Sequence, residues 1–274
     1  MALDQENDTS EMGFLDHLEE LRWHLVRSVI AIFIFSLLAF LGREIVWDTI
    51  IFGPTKSDFW TYRKLCELSE TINSPLLCLN QPTMVFQNRQ MTGQFVMHIT
   101  SSAVIGLILG FPYLFWEIWR FIGPGLRNNE KKASKGAVVV VSILFLIGIC
   151  FGYFIVTPLS INFLSNYELS ESIDDFIDIS SIVGLISTLV LACGFMFQLP
   201  VVSYFLSKAG LVTPALMKRY RKHAFVTILI ISAVLTPPDI MSQILIALPV
   251  TLLYEVSIAV SRRVERSNEK NALT

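Results

Sequence analysis

The chain has 274 residues, of which 53% are hydrophobic and 16% charged, and its mean hydropathy is +0.58. One water-facing globule cannot hide that much apolar surface, so the composition excludes an ordinary soluble domain and calls for lipid. The net charge of −2 points to neither a nucleic-acid partner nor an acidic substrate, which leaves the distribution of charge as the informative feature.

The opening Met1-Ala2-Leu3-Asp4 and the acidic stretch after it lack the basic region and short apolar run of a cleaved signal peptide. The first helix itself is therefore expected to direct insertion. Phe14-Leu15-Asp16-His17-Leu18-Glu19-Glu20-Leu21-Arg22 sets Phe14, Leu18 and Leu21 at helical spacing, predicting an amphipathic helix that runs into the first span. Its acidic face has two readings. Asp16, Glu19 and Glu20 either pair with Arg22 and its neighbours on a solvated helix, or form an anionic platform for a cationic ligand.

The first span is Leu25–Leu41, with Arg27 and Arg43 near its ends, where long side chains reach the headgroups. The loop that follows is the longest, from Phe52 to about Val96. Within it Ser57–Leu65 reads as a short amphipathic helix on the outer membrane surface. Cys66 and Cys78 share this loop, with a turn at Asn73-Ser74-Pro75 between them, and are expected to form a disulfide in an oxidising setting.

Charge-free runs long enough to cross a bilayer follow at Ile99–Trp116, Ala137–Thr157 and Ile179–Leu206. Between the first two lies Trp119-Arg120-Phe121-Ile122-Gly123-Pro124-Gly125-Leu126, a Gly-Pro-Gly bend, and then Glu130 among lysines. Gln198, in Phe197-Gln198-Leu199-Pro200, cannot face lipid with its amide unsatisfied. It bonds either within the chain, to backbone loosened by Pro200, or to the helix of a partner. Cys150 and Cys193 sit in apolar runs as small hydrophobes. The last two spans, Ala224–Leu235 and Ile244–Val260, are short, and Thr236-Pro237-Pro238-Asp239 forces a tight turn between them. This hairpin crosses the membrane or re-enters. Glu255, near the end of the last helix, is expected to reach the interface or pair with a basic neighbour.

Lys and Arg in short loops set the orientation. Arg120, Arg127, Lys131, Lys132 and Lys135 follow the second span, Lys208, Lys218, Arg219, Arg221 and Lys222 the fourth, and Arg262, Arg263, Arg266 and Lys270 lie in the tail. The loop from Pro158 to Asp178 has no basic residue and several acidic ones. Both termini are therefore expected to be cytoplasmic. Trp23, Trp47, Trp116 and Trp119 mark helix ends as interfacial aromatics do.

No zinc-protease, nucleophile-elbow or phosphate-loop motif occurs, and the four histidines are scattered, so neither catalysis, a metal nor a cofactor is expected. Prolines at 112, 158, 200 and 249 predict bent helices that can enclose a concave surface. The expected architecture is an all-α integral membrane protein. It forms one polytopic domain over 1–274, with six transmembrane helices, bent spans in a concave bundle, and a short last pair.

Five stretches in order resemble the TatC family, the multi-spanning receptor of the twin-arginine protein translocase. They are His17-Leu18-Glu19-Glu20-Leu21-Arg22; Phe121-Ile122-Gly123-Pro124-Gly125-Leu126 with Glu130-Lys131-Lys132; Phe151-Gly152-Tyr153-Phe154 before Pro158; Phe197-Gln198-Leu199-Pro200; and Leu235-Thr236-Pro237-Pro238-Asp239 with Ile240-Met241-Ser242-Gln243. The resemblance implies a subunit of the bacterial inner membrane that binds paired-arginine signal peptides of folded precursors. It also implies assembly with small single-span subunits of the TatA and TatB type and with further copies of itself, driven by the proton-motive force. Glu20 and Glu130 match the family's arginine-contacting glutamates and Phe121 and Pro124 its first cytoplasmic loop, and with Arg22 these are the expected signal-peptide-binding residues. In the family the position of Gln198 is often glutamate, so the amide here keeps hydrogen bonding without the charge. Pro237, Pro238 and Asp239 are the structural turn. The alternative is a secondary transporter for a small solute, against which stand the lack of central ionisable residues in the spans and of any repeat. An intramembrane enzyme ranks third, for want of a nucleophile–base pair.

Overall fold

The computed structural model describes residues 14–72, 78, 84–122, 128–167, 176–235 and 240–272. Pro124, Pro237, Pro238 and Asp239 lie outside the described residues, as does the side chain of Glu130. The described helices are α1 (Phe14–Leu41), α2 (Trp60–Ile72), α3 (Gly93–Ile122), α4 (Asn128–Phe151), α5 (Thr157–Ser165), α6 (Ile179–Met196), α7 (Leu199–Lys208), α8 (Pro214–Arg219), α9 (Arg221–Leu235) and α10 (Ile240–Ala272). Among the described residues, five stretches are long and apolar enough to cross a bilayer: Glu19–Leu41, Gly93–Phe121, Gly136–Ser165, Ile179–Lys208 and Gln243–Arg266. The sixth expected span corresponds to α9, whose 15 residues make it the short member of the final pair.

Two spans are broken where the sequence places proline. In the third, α4 passes through a π-helical segment, Gly152–Val156, into α5. Pro158 has no N–H, so the carbonyl of Phe154 loses its usual helical donor, and the hydroxyl of Thr61 donates to it instead. In the fourth, the expected continuous helix over Ile179–Leu206 is divided at Phe197 and Gln198, because Pro200 opens α7 and cannot donate back into α6.

The segment between α1 and α3 forms a cap on the bundle. Its helix begins at Trp60, three residues later than the sequence suggests, runs on to Ile72, and is docked on protein by a buried face of Thr61, Tyr62 and Ser69. The Tyr62 hydroxyl bonds the carbonyls of Pro158 at 2.8 Å and Pro54 at 3.1 Å, and burial raises its pKa, so it stays a donor throughout the physiological range. Tyr153 donates to the carbonyl of Ile50 at 2.8 Å, tying the third span to the π-helical Ile45–Ile51 segment after α1. Cys66 at mid-helix and Cys78 beyond it are joined by a disulfide.

The expectation of helices alone missed a small sheet. β1 (Val85–Gln87) pairs in parallel with β2 (Phe176–Asp178), Val85 opposite Phe176, which puts the segment before α3 and the segment before α6 at one end of the bundle. The core is built around α6, which packs on one side with Ala39, Val46, Ile51 and Ile161 and on another with Ile228, Ile246 and Val250, while Phe111, Val141 and Phe145 form a smaller cluster between α3 and α4. Phe145 is fully buried and stacks on Phe111 at a centroid distance of 3.6 Å. Beneath the cap a cavity of about 640 Å³ opens between α3, the third span and α6, with Ile105, Ile108, Tyr153, Phe154, Ile186 and Val190 among its apolar wall residues.

Candidate functional site

The face of α1 that carries His24, Ile32 and Ser36 meets α3, and the two helices come unusually close. Gly106 and Gly110, four residues apart on α3, face Ser36 and Ile32 of α1. A Cβ at Gly106 would lie 2.6 Å from the Ser36 backbone nitrogen, and one at Gly110 would lie 2.8 Å from Ile32 Cγ1. Small residues at this spacing are the usual device for close packing of membrane helices. Antiparallel packing then carries the N-terminal half of α1 to the C-terminal end of α3.

A buried polar cluster forms there. Glu117 of α3 is 1% exposed and His24 of α1 is 6% exposed; His24 Nδ1 pairs with Glu117 Oε2. The other carboxylate oxygen accepts from the Tyr113 hydroxyl at 2.8 Å, so both oxygens of Glu117 are engaged. Ser28, one turn on, is buried and donates to the His24 carbonyl at 2.9 Å. Arg27 acts electrostatically on Glu117 and Tyr113, and Arg120 on Tyr113. The His24 ring meets the edge of Phe121 at a centroid distance of 6.1 Å.

This cluster brings two of the sequence-predicted residues together. Glu20 lies one helical turn before His24 and Phe121 one turn after Glu117, so both border the same contact between α1 and α3. Both are partly exposed at its outer edge. Arg22 is exposed and sits two positions from Glu20, hence on another face of α1, with its guanidinium 5.5 Å from the Trp23 ring centre. The backbone of Glu130 lies in the first turn of α4.

Sequence reasoning missed Glu117, His24 and Tyr113. The second span was ended at Trp116, whereas the apolar helix runs on to Phe121 and takes Glu117 inside. The readable signal was the i, i+4 series Tyr113, Glu117, Phe121 within an aromatic-rich helix end.

Gln198, between α6 and α7, faces protein as expected. Its Nε2 donates to the Val141 carbonyl at 3.1 Å, while Oε1 is buried with no partner among the described residues. Glu255 pairs with Arg221 at 2.6 Å. On the same side of the bundle Ser207 and Ser261 bond at 2.6 Å, and Tyr254 donates to the Met217 carbonyl at 2.9 Å, fixing α10 against α7 and α8. Among the described residues no three His, Cys, Asp or Glu side chains converge as metal ligands do.

Broken apolar spans around a cavity, a cap at one end and a buried carboxylate cluster at a helix end define a multi-spanning helical membrane protein. Residues 16–249 match the family model described as Sec-independent protein translocase protein (TatC). The chain is 38% identical over 257 residues to the protein of that name from Blattabacterium sp. subsp. Periplaneta americana, covering 93% of this chain and 97% of the relative. It is also 38% identical over 258 residues to the Helicobacter pylori strain 26695 protein, covering 93% and 90%. Among solved structures it resembles the crystal structure of the twin arginine translocase receptor TatC in DDM. There the TM-score is 0.70 at 30% identity, covering 89% of this chain and 99% of that one. A second crystal structure of that receptor gives a TM-score of 0.67 at 29% identity, covering 91% and 99%. The chain belongs to the TatC family and is a membrane-embedded component of the twin-arginine protein translocase. The small-solute transporter alternative has no support from these relatives.

Proposed function

We propose that this subunit is the docking receptor for paired-arginine signal peptides, acting as one polytopic domain in a bacterial inner membrane with both termini cytoplasmic. The observation that carries the reading is the contact of the Phe121 ring with His24, one helical turn from Glu20 on α1, at the C-terminal end of α3, together with the backbone of Glu130 in the first turn of α4. Glu20 and Glu130 each take one arginine, because a planar guanidinium donates a fork of hydrogen bonds that a carboxylate accepts. Phe121, Pro124 and Arg22 complete the proposed signal-peptide-binding set. Single-span partner subunits and further copies of the chain then gather round the loaded receptor, and no step is asked of a catalytic residue.

The test is binding of a fluorescent paired-arginine peptide to the full chain in nanodiscs at fixed salt, since exposed charges are screened. Glu20→Ala and Glu130→Ala should each weaken affinity by roughly tenfold or more, the loss expected for one charge-assisted bond. Replacing one peptide arginine by lysine should act in the same direction. Unchanged affinity in both protein variants would return these carboxylates to ordinary surface groups.

A further inference from the structure

The His24–Glu117 pair is the most completely buried ionisable contact among the described side chains, and the docking reading makes no direct use of it. It is closed to a ligand, since Glu117 is 1% exposed and both its oxygens are already occupied. Its place is informative. His24 lies one turn from Glu20 on α1, Glu117 one turn from Phe121 on α3, and the His24 ring also touches Phe121. Below the pair the two helices are held by the close approach of Gly106 and Gly110 to Ser36 and Ile32 and by the stacked rings of Phe40 and His98. Above it, toward Glu20, no further glycine contact exists among the described residues of α3, so the polar bond sets the spacing of the last turns.

We infer that the buried His24–Glu117 bond, buttressed by Tyr113, is a positioning clamp that registers the Glu20 turn of α1 against the Phe121 turn of α3 and so shapes the docking surface. The inference rests on the docking function proposed above. A carboxylate at this depth, stripped of its partner, is driven toward water, and its helix must turn or shift to get there. Glu20 moves with α1 because His24 and Glu20 share a rigid helical turn. The clamp therefore controls affinity without touching the peptide: His24, Glu117 and Tyr113 are positioning residues.

The experiment joins peptide binding to a distance. Spin labels at Leu25→Cys and Ile118→Cys, both exposed on the apolar surface, report the α1–α3 spacing in nanodiscs with Cys150 and Cys193 replaced by alanine. His24→Gln and Glu117→Gln should each weaken docking on the order of tenfold and broaden the distance distribution. The double variant, His24→Gln with Glu117→Gln, replaces the histidine–carboxylate bond by an amide pair without ionisable groups and should recover both readouts. Tyr113→Phe removes one bond and leaves the pair, so it should fold even where a single amide variant does not, and should give a smaller change of the same kind. Unaltered affinity in the variants, or weakened affinity with an unaltered α1–α3 distance, overturns the clamp. Loss of peptide binding by the wild-type chain itself would instead overturn the docking function, so the two failures are distinct.

Discussion

Gln198 has one satisfied and one unsatisfied end, and that asymmetry separates two roles for it. The Nε2 bond to the Val141 carbonyl ties α7 to α4, while the buried Oε1 gains nothing from the fold. Leucine loses one hydrogen bond, a net contribution of about 1 kcal/mol, but also removes the unpaired oxygen. Glutamate keeps the oxygens, loses the donor and faces a carbonyl with a carboxylate, which is worse in a buried setting. Thermal unfolding in detergent should therefore rank wild type first, Gln198→Leu close behind and Gln198→Glu lowest. Assembly with single-span partners should show the reverse order of the two variants if the free oxygen serves a partner helix, since leucine offers that helix neither donor nor acceptor. Identical ranking in both assays would confine Gln198 to the fold.

At the scale of elements, the close approach of α1 and α3 depends on two missing side chains. Gly106→Val should cost about 1–3 kcal/mol, because a branched side chain meets the Ser36 backbone and the helices must part. Peptide binding should fall with it, whereas Gly136→Val, at a glycine whose Cβ position meets nothing within 4 Å, should change neither stability nor binding. A melting curve and a binding isotherm for the two variants check this.

How much of this was legible in the sequence varies with the kind of force involved. Apolar run length gave α1, α3, α4, α6 and the last two helices, since burial in lipid is a property of composition over many residues. Proline positions gave the breaks near Gln198 and Pro158 for an equally local reason. The Tyr62 and Thr61 cap, by contrast, depends on carbonyls about ninety residues away, and no local pattern announces such partners. Glu117 was hidden for a related reason: beside Trp116, Trp119 and Arg120 a charged residue reads as a span's end, and only His24 on another helix makes its burial tolerable. Among the site residues, Glu20 and Phe121 came from resemblance; their proximity came from packing.

For the whole molecule, the charge pattern and the architecture lead to one orientation. Cysteines placed at the exposed Met91 and Leu211, in a background without Cys150 and Cys193, should be labelled by an impermeant reagent from opposite sides in intact cells, Met91 from outside and Leu211 only after lysis. Asp239→Cys should behave like Met91 if α9 crosses. Labelling of position 239 only after lysis would make the final hairpin re-entrant, and labelling of Met91 only after lysis would reverse the orientation altogether.

The pairing of β1 with β2 carries a consequence for the order of biogenesis. Parallel strands need a long crossover, and here the connection is the whole of α3, α4 and α5, two membrane crossings in length. Val85 must therefore wait at its side of the membrane until Phe176 has been delivered there, and contacts of such high sequence separation form slowly because loop closure precedes any gain. During synthesis the segment between α1 and α3 emerges early and can close its own disulfide alone, but the sheet can be completed only after the third span is in place. The two strands thus act as a seam sewn last, recording that both segments have arrived on the same side.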